Sequence, residues 1–262
     1  VDENTKPNCL PKLPQLENSI IIEVTSGEIN KSISSCNYIW EQLSEHNFDR
    51  DSLLINLGGG VIGDMGGFAA STYKRGIDFI QVPTTLLAMV DASVGGKLGV
   101  DFNGLKNQIG LFNNPESVLI FPEFLETLPE NQLKSGYAEV VKHALISDNN
   151  LWEKIISVPF NEMNWGKIIE TSINIKNKIV LSDPYEKGER KKLNFGHTFG
   201  HAVESYYLEK GTPILHGEAV FMGIIIESEF SSLTDSDKNQ IKNYILSNFQ
   251  LPHFPSKSEL LS

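Results

Sequence analysis

The chain has 262 residues, of which 40% are apolar, and a formal net charge of −11 at pH 7. A chain of this length can bury two ordinary hydrophobic cores, so we expect a globular protein. The acidic balance excludes a nucleic-acid or anionic-membrane surface as its main role, since either requires a basic footprint. Two cysteines and no apolar run near the ~18 residues of a membrane span favour a cytoplasmic protein without a disulfide framework.

The first half of the sequence alternates strand and helix patterns. An apolar, β-branched run at residues 19–24 predicts a strand, and helical spacing over residues 33–43 predicts a helix. Residues 53–57 predict a second buried strand, residues 61–71 a second helix and residues 79–82 a third strand. Such alternation favours a mostly parallel, Rossmann-like sheet with helices on its faces.

The second half has a different periodicity. Asparagine and proline breakers between residues 113 and 130 indicate a domain boundary, which we place between residues 122 and 123. Helical spacing then dominates, in a segment starting near residue 130 and in residues 165–180 and 237–249. The sequence therefore predicts an α/β domain over residues 1–122 and an all-α domain over residues 123–262.

A glycine-rich segment, residues 57–64, joins the second predicted strand to the helix after it and matches G-x-G-x-x-G. Backbone N–H groups and the positive helix end could hold a pyrophosphate there. A tight turn with close helix–strand packing fits the same letters. Asp64 favours the ligand interpretation, because its carboxylate can cap free N–H groups or accept from a nicotinamide amide or a sugar hydroxyl.

Other polar groups of the first half have both a functional and a structural interpretation. Glu28 and Lys31 suit ribose hydroxyls and a phosphate, or a solvated loop. Thr84 and Thr85 end a strand, where open α/β sheets bind ligands, or serve only as strand and cap residues. Residues 91–101 are too glycine-rich for a regular element and predict, with Lys106 and Asn107, an oxyanion-binding loop or a flexible surface hairpin.

Histidines cluster in the second half. His197 and His201 stand one helical turn apart, and His216 follows, so that three of the six histidines fall within twenty residues. Glu139, Lys142 and His143 share one face of the helix predicted from residue 130. Such a set suits a nitrogen- and oxygen-ligated metal with an open position, as zinc uses in catalysis. The alternative is a set of core histidines with satisfied hydrogen bonds.

Four blocks of sequence resemble, in the same order, the motifs of one known enzyme family: GGGVIGDMGGFAAS, RGIDFIQVPTTLLAMVDASVGGK, KSGYAEVVKHALI and LNFGHTFGHAVE. Through them the chain, from residue 1 to about residue 252, resembles the 3-dehydroquinate synthases of the sugar phosphate cyclase group. The resemblance implies a dehydroquinate synthase-like fold and conversion of 3-deoxy-arabino-heptulosonate 7-phosphate to 3-dehydroquinate and phosphate. Transient oxidation by NAD, β-elimination, reduction and aldol closure would follow in turn.

The resemblance also implies roles for single residues. The metal, zinc or alternatively cobalt, is expected at Glu139, His197 and His216. The NAD contacts are expected at Asp2, Glu28, Lys31, Gly59, Gly60, Val61, Asp64, Thr84, Thr85, Lys97, Lys106, Phe124, Leu125, Glu126 and Thr127. The sugar phosphate substrate is expected at Asp91, Lys97, Asn107, Lys142, Lys176, Arg190, Asn194 and His201. Arg75 would reach the phosphate of a neighbouring subunit, which implies a homodimer.

Departures from the family pattern leave alternatives open. Leu98 and Gln108 differ from the threonine and the aliphatic residue of many members, which weakens the assignment to one subgroup. The rival enzymes are another sugar phosphate cyclase and a metal-dependent polyol dehydrogenase of similar fold. The rival from another class is a non-catalytic NAD-binding remnant, against which the intact set of metal ligands argues. Lys176, Arg190 and Asn194 favour a substrate with a carboxylate. The family extends beyond both ends of this chain and carries a further substrate lysine after Ser262. We therefore expect the 262-residue chain alone to bind NAD weakly and to turn over poorly.

Overall fold

The computed structural model describes residues 1–14, 17–147, 149–184 and 186–260. Two compact units are present, Val1–Leu128 and a second that begins at Pro129. None of the helices within the described ranges combines the length and the apolar character needed to cross a bilayer.

The first unit is an α/β structure. Its helices and strands are α1 (Thr5–Asn8), α2 (Ile33–Glu45), β1 (Leu53–Gly58), α3 (Gly60–Thr72), β2 (Asp78–Pro83), β3 (Lys97–Phe102), β4 (Leu105–Phe112) and β5 (Ser117–Val118). Strands β1, β2 and β5 form a parallel sheet in the order β1-β2-β5. Strands β3 and β4 pair as an antiparallel hairpin.

The hydrophobic core of this unit explains the alternating pattern. Helix α3 follows β1 directly and returns the chain so that β2 can pair in parallel, with Leu53 opposite Asp78 and Gly58 opposite Pro83. Cys36, Met65 and Phe79, from α2, α3 and β2, are at most 1% exposed and belong to one cluster. The predicted order helix, strand, helix, strand over residues 33–83 is confirmed.

Two predictions for the first unit were wrong. Residues 19–24 form no strand. Among the described residues, their backbone pairs with Val1 alone: Val24 N donates to Val1 O at 3.0 Å and the Val1 amino group donates to Ile22 O at 3.1 Å. A strand requires a longer ladder.

Residues 97–101, expected as irregular, lie in β3, where pairing with β4 overrides the glycine content. Leu98 and Val100 are buried, so this hairpin is not a flexible surface loop.

The second unit is helical. Its helices are α4 (Glu130–Ser147), α5 (Asn149–Ser157), α6 (Trp165–Ser182), α7 (His197–Glu209), α8 (His216–Glu229), α9 (Asp235–Asn248) and α10 (Lys257–Leu260). The helices predicted from residue 130, over 165–180 and over 237–249 are confirmed as α4, α6 and α9. An aromatic cluster forms part of the core. Its members are Tyr137, Phe160, Trp165, Phe221 and Phe249, with ring centroids of Phe221 and Phe249 4.4 Å apart.

Candidate metal centre and ligand-binding residues

Three helices of the second unit each contribute one side chain to a single cluster. Glu139 lies in the middle of α4, His197 is the first residue of α7 and His216 is the first residue of α8. One ligand atom from each lies within 4.8 Å of the others. The Nε2 atoms of His197 and His216 are both 3.4 Å from Oε1 of Glu139. The structure therefore brings the predicted metal ligands together.

The spacing of these atoms fits a divalent metal ion. Zinc binds histidine nitrogen and carboxylate oxygen at roughly 2.0–2.2 Å, and two ligand atoms on a tetrahedral ion at that distance lie about 3.4 Å apart. The Glu139 side chain is fully buried, whereas those of His197 and His216 are 13% and 28% exposed. Two imidazoles and one carboxylate leave further coordination positions for a water or a substrate, as catalytic zinc sites do.

Close packing of α8 on α4 positions His216. Gly217 N donates to Ser135 Oγ at 2.9 Å, one helical turn before Glu139. A Cβ atom at position 217 would lie 2.1 Å from Ser135 O, so only glycine permits this approach. Glu218 completes the first turn of α8, since its Oε2 accepts from Leu215 N at 2.8 Å.

A carboxylate of α8 holds the start of α7. Glu227 accepts hydrogen bonds from Gly196 N at 2.8 Å and from Phe199 N at 3.2 Å. These are backbone groups of the first turn, which have no acceptor within their own helix. The negative charge also suits the positive end of the helix. Glu227 thereby fixes the turn that carries His197.

The charges of the cluster are strongly coupled. Burial alone would raise the pKa of the Glu139 carboxyl, but the Lys142 ammonium and the two imidazoles outweigh it and hold that pKa well below its usual range. Burial alone would lower the pKa of His216, but the carboxylates of Glu139 and Glu204 raise it to about 9. Without a metal, the site therefore retains a proton on His216 at neutral pH, which a metal ion must displace.

Cationic side chains predicted to bind the substrate are buried in the same unit. Lys142, Lys176 and Arg190 are 1%, 6% and 3% exposed. Lys142 forms an ion pair with Glu139, and Arg190 Nη1 donates to Pro184 O at 2.7 Å. Three buried cationic side chains in one unit give this acidic chain a local positive charge, which suits an anionic ligand.

Two other predicted substrate residues lie on α7 or just before it. The ring centroid of His201 is 5.4 Å from that of His197, one turn back along the helix, so His201 lies beside the triad. Asn194 Nδ2 donates to Glu186 Oε1 at 2.7 Å. His143, which shares the face of α4 with Glu139, is instead fully buried, and its Nδ1 lies 2.5 Å from Ser172 Oγ.

In the first unit, the glycine-rich turn and the two threonines lie at the same edge of the sheet. Gly59 precedes α3 at the end of β1, and Thr84 N, just after β2, donates to Gly58 O at 3.0 Å. The side chain of Thr85 lies 3.1 Å from the position of a Cβ atom built on Gly59. Gly60 and Val61 begin α3, whose first N–H groups are free to bind an anion.

Lys31 connects residues of three segments that were predicted to bind NAD or the substrate. Its Nζ lies 2.5 Å from Oδ2 of Asp64 and 2.6 Å from Oδ1 of Asn107. The lysine is 4% exposed, so the interpretation of this position as a solvated loop is wrong. Lys106, next to Asn107, lies 3.9 Å from Glu28 Oε1. Glu28, Lys31, Asp64, Lys106 and Asn107 thus form one polar cluster.

The remaining predicted ligand residues of this unit lie in several places. Asp91 is in a π-helical turn, Ala88–Ala92, whose last residue is 3.3 Å from a Cβ built on Gly60, and Lys97 begins β3. Asp2 caps α1, since its Oδ1 accepts from Thr5 N at 2.8 Å. The segment of Phe124, Leu125, Glu126 and Thr127 is a 3₁₀ helix, Pro122–Thr127, and Lys12 Nζ contacts Glu126 Oε2 at 3.2 Å.

Arg75 is not brought to the edge that carries the glycine-rich turn. It follows α3 and precedes β2, so it lies at the amino end of β2, whereas Thr84 and Thr85 follow the carboxyl end. Lys74 and Arg75 have positive φ values of 49° and 74°. Two consecutive left-handed residues other than glycine are uncommon and store backbone strain.

Several residues that position the ligands were not predicted from the sequence. They are Ser135, Gly217 and Glu227, and a fourth residue that was not predicted, Glu204, lies beside His216. Of the four, Glu204 is the one that helical spacing could have predicted, because it follows His201 by three residues and therefore lies on the same face of the helix. The other three act across helix contacts, which the spacing within one helix does not reveal.

Similar solved structures place this architecture in a known class. A 2-deoxy-scyllo-inosose synthase complexed with carbaglucose-6-phosphate, NAD⁺ and Co²⁺ is 28% identical, with a TM-score of 0.79 over 87% of this chain and 65% of that one. A 2-epi-5-epi-valiolone synthase from Streptomyces hygroscopicus subsp. jinggangensis 5008, with NAD⁺ and Zn²⁺ bound, is 25% identical, with a TM-score of 0.80 over 91% of this chain and 69% of that one. The fold is thus that of a dehydroquinate synthase-like protein.

Sequence comparisons are more specific. The 3-dehydroquinate synthase N-terminal profile matches residues 21–135 and the C-terminal profile matches residues 136–260. A 3-dehydroquinate synthase from Parabacteroides distasonis is 47% identical over 233 residues, which cover 87% of this chain and 66% of that protein. The chain belongs to the 3-dehydroquinate synthase family, and it spans about two thirds of the length of the curated relatives it matches.

Proposed function

We propose that the whole protein is a cytoplasmic 3-dehydroquinate synthase of the shikimate pathway. It converts 3-deoxy-arabino-heptulosonate 7-phosphate to 3-dehydroquinate and phosphate, as a phosphate-eliminating lyase that depends on NAD and zinc or cobalt. The observation that carries the proposal is the cluster of Glu139, His197 and His216 at metal-binding distances. Because the chain belongs to the 3-dehydroquinate synthase family, we assign this cluster to the reaction of that family.

The second unit supplies the groups that bind the substrate. The buried cations Lys142, Lys176 and Arg190 bind its carboxylate and phosphate, which gives an acidic chain the local positive charge that an anionic substrate requires. Asn194 orients a hydroxyl. His201, exposed on α7 beside the triad, exchanges a proton with the substrate.

The first unit supplies the groups that bind the dinucleotide. Its pyrophosphate binds the N–H groups at the start of α3, and Thr84 and Thr85 bind at the same edge of the sheet. Glu28 binds ribose hydroxyls, and Lys31 and Lys106 offer ammonium groups to the phosphates. The family resemblance assigns Lys97 to both NAD and the substrate, and Asp91 and Asn107 to the substrate.

The two cofactors divide the chemistry. When bound, the divalent ion supplies Lewis-acid polarisation of substrate oxygens, and NAD supplies a hydride acceptor that returns the hydride later. The net reaction therefore leaves NAD unchanged.

Arg75 contacts the phosphate bound in the neighbouring subunit of a homodimer.

Another sugar phosphate cyclase is the second candidate function, because the solved structures described above are an inosose synthase and a valiolone synthase. Their identities of 25–28% are lower than the 47% of the dehydroquinate synthase relative. Lys176, Arg190 and Asn194 also favour a substrate that carries a carboxylate.

The test is release of inorganic phosphate from 3-deoxy-arabino-heptulosonate 7-phosphate, with zinc present and NAD below the substrate concentration. We expect several phosphates per NAD, no accumulation of NADH and 3-dehydroquinate as the organic product. Net NADH formation would instead indicate a polyol dehydrogenase. Phosphate release only from a sugar phosphate without a carboxylate would indicate another cyclase.

A further inference from the structure

A carboxylate lies on the outer side of the His216 ring. Glu204 Oε2 is 3.9 Å from Nδ1 of His216, while Nε2 of the same ring is 3.4 Å from Glu139 Oε1. Glu204 lies on α7, seven residues after His197, and its side chain is 14% exposed. The His216 imidazole is therefore placed between two carboxylates, one facing each nitrogen.

The position of each nitrogen has a chemical consequence. A histidine that binds a metal uses the lone pair of one nitrogen, and the other nitrogen carries a proton that needs an acceptor. His197 follows the same arrangement, since its Nδ1 lies 3.3 Å from Phe195 O and its Nε2 faces Glu139. Both rings thus direct Nε2 to the shared site and Nδ1 to an oxygen outside it.

We infer that Glu204 is a positioning residue for the metal centre. At 3.9 Å its carboxylate is an ion-pair partner of the ring, and its negative charge favours a proton on Nδ1 of His216, which leaves the lone pair of Nε2 for the metal and makes that nitrogen a stronger ligand. The inference rests on the proposed metal centre and adds to it a fourth residue that acts through His216. At His197, the oxygen near Nδ1 is the backbone carbonyl of Phe195, which a side-chain substitution does not remove. At His216, the corresponding oxygen belongs to the Glu204 side chain, which can be substituted.

The experiment compares zinc affinities of Glu204→Gln, Glu204→Ala and a control, Glu209→Gln, by competition with a chelating dye. Glu209 is exposed at the end of the same helix, so its substitution removes the same charge away from His216. We expect Glu204→Ala to bind zinc about 10–100-fold more weakly than wild type. The loss should be smaller in Glu204→Gln, which keeps an oxygen at that place without the charge. The zinc affinity of the control should stay within about twofold of wild type. The absorption spectrum of bound Co²⁺ should change only in the Glu204 variants.

A double-mutant cycle separates positioning from a general structural effect. In a His216→Ala background, Glu204→Gln should cause no further loss of zinc affinity, because the ring on which it acts is absent. An equal further loss in that background would overturn the inference. So would wild-type zinc affinity and an unchanged cobalt spectrum in Glu204→Ala. Failure of the unsubstituted chain to bind zinc would instead contradict the proposed metal centre.

Discussion

Gly217 is the residue whose substitution tests the geometry of the site most sharply. Its Cα approaches the backbone of α4, and a Cβ would lie 2.1 Å from Ser135 O. We expect Gly217→Ala to lower the free energy of unfolding by about 1–3 kcal/mol and to weaken zinc binding, since α8 must move away from Glu139. Urea denaturation and dye competition measure the two effects.

Gly166 provides the matched control for this substitution. It lies in the first turn of α6, and the nearest atom to its Cβ position is Asn164 Oδ1, at an ordinary 3.7 Å. Gly166→Ala should therefore leave zinc affinity unchanged and stabilise the helix by up to about 1 kcal/mol. Equal destabilisation by the two alanines would refute the packing argument.

Cys36 gives a prediction about pH. Burial raises the pKa of its thiol from 9.0 to about 12. A raised pKa means that the stabilising contribution is complete below pH 9 and is lost as the pH rises from 9 towards 12. Over that range the thiol should reduce the free energy of unfolding by roughly 1.4 kcal/mol per pH unit.

The measurement is the stability of wild type and of Cys36→Ala, by urea unfolding between pH 8 and pH 10.5. Other groups titrate equally in both proteins, so the difference between the two curves isolates the thiol. We expect that difference to shrink above pH 9. Parallel curves would contradict the assigned burial effect.

At the scale of elements, the capping of α7 by α8 determines where His197 stands. Glu227→Ala removes both acceptors of the Gly196 and Phe199 N–H groups. We expect a loss of about 0.5–2 kcal/mol in stability, as for other helix caps, together with weaker zinc binding. Glu229→Ala, at the exposed end of the same helix, should change stability by less than about 0.5 kcal/mol. Thermal unfolding and zinc titration distinguish the two variants.

Periodicity predicted the elements with a continuous hydrophobic pattern. Helices α2, α3, α4, α6 and α9 and strands β1 and β2 lie where the sequence placed them. It failed where the deciding contact is distant in sequence. The pattern of residues 19–24 predicts a strand, but in the part of the chain that the structure describes their backbone pairs with Val1 alone. Strand β3 forms because β4 pairs with it.

The same limit applies to the candidate site. The family-like motifs predicted Glu139, His197 and His216, and the structure brings them together. Ser135, Gly217 and Glu227 were not predicted, because their effects run between helices, from α8 to α4 and from α8 to α7. Likewise, the sequence leaves Lys31 open between a ligand contact and a solvated loop, because its contacts with Asp64 and Asn107 are distant in sequence.

At the scale of the whole molecule, the proposed homodimer makes a prediction about mixed subunits. Arg75→Ala and His197→Ala should each be inactive alone, because one lacks the phosphate contact and the other a metal ligand. A mixed dimer retains one complete site. Random mixing after refolding should therefore restore about one quarter of wild-type phosphate release. No recovery, with sedimentation showing that mixed dimers form, would contradict the role of Arg75 across the subunit boundary.

Zinc binding at equilibrium shows whether Glu139, His197 and His216 form one metal centre. We predict one tightly bound zinc per chain in the wild type and in Glu130→Gln, an exposed control on the same helix. Glu139→Gln, checked for folding by circular dichroism, should lose that zinc at the same free concentration, since an amide replaces the only charged ligand of the three. If Glu139→Gln retains one tightly bound zinc, or if the wild type binds none, these three side chains do not form the metal centre.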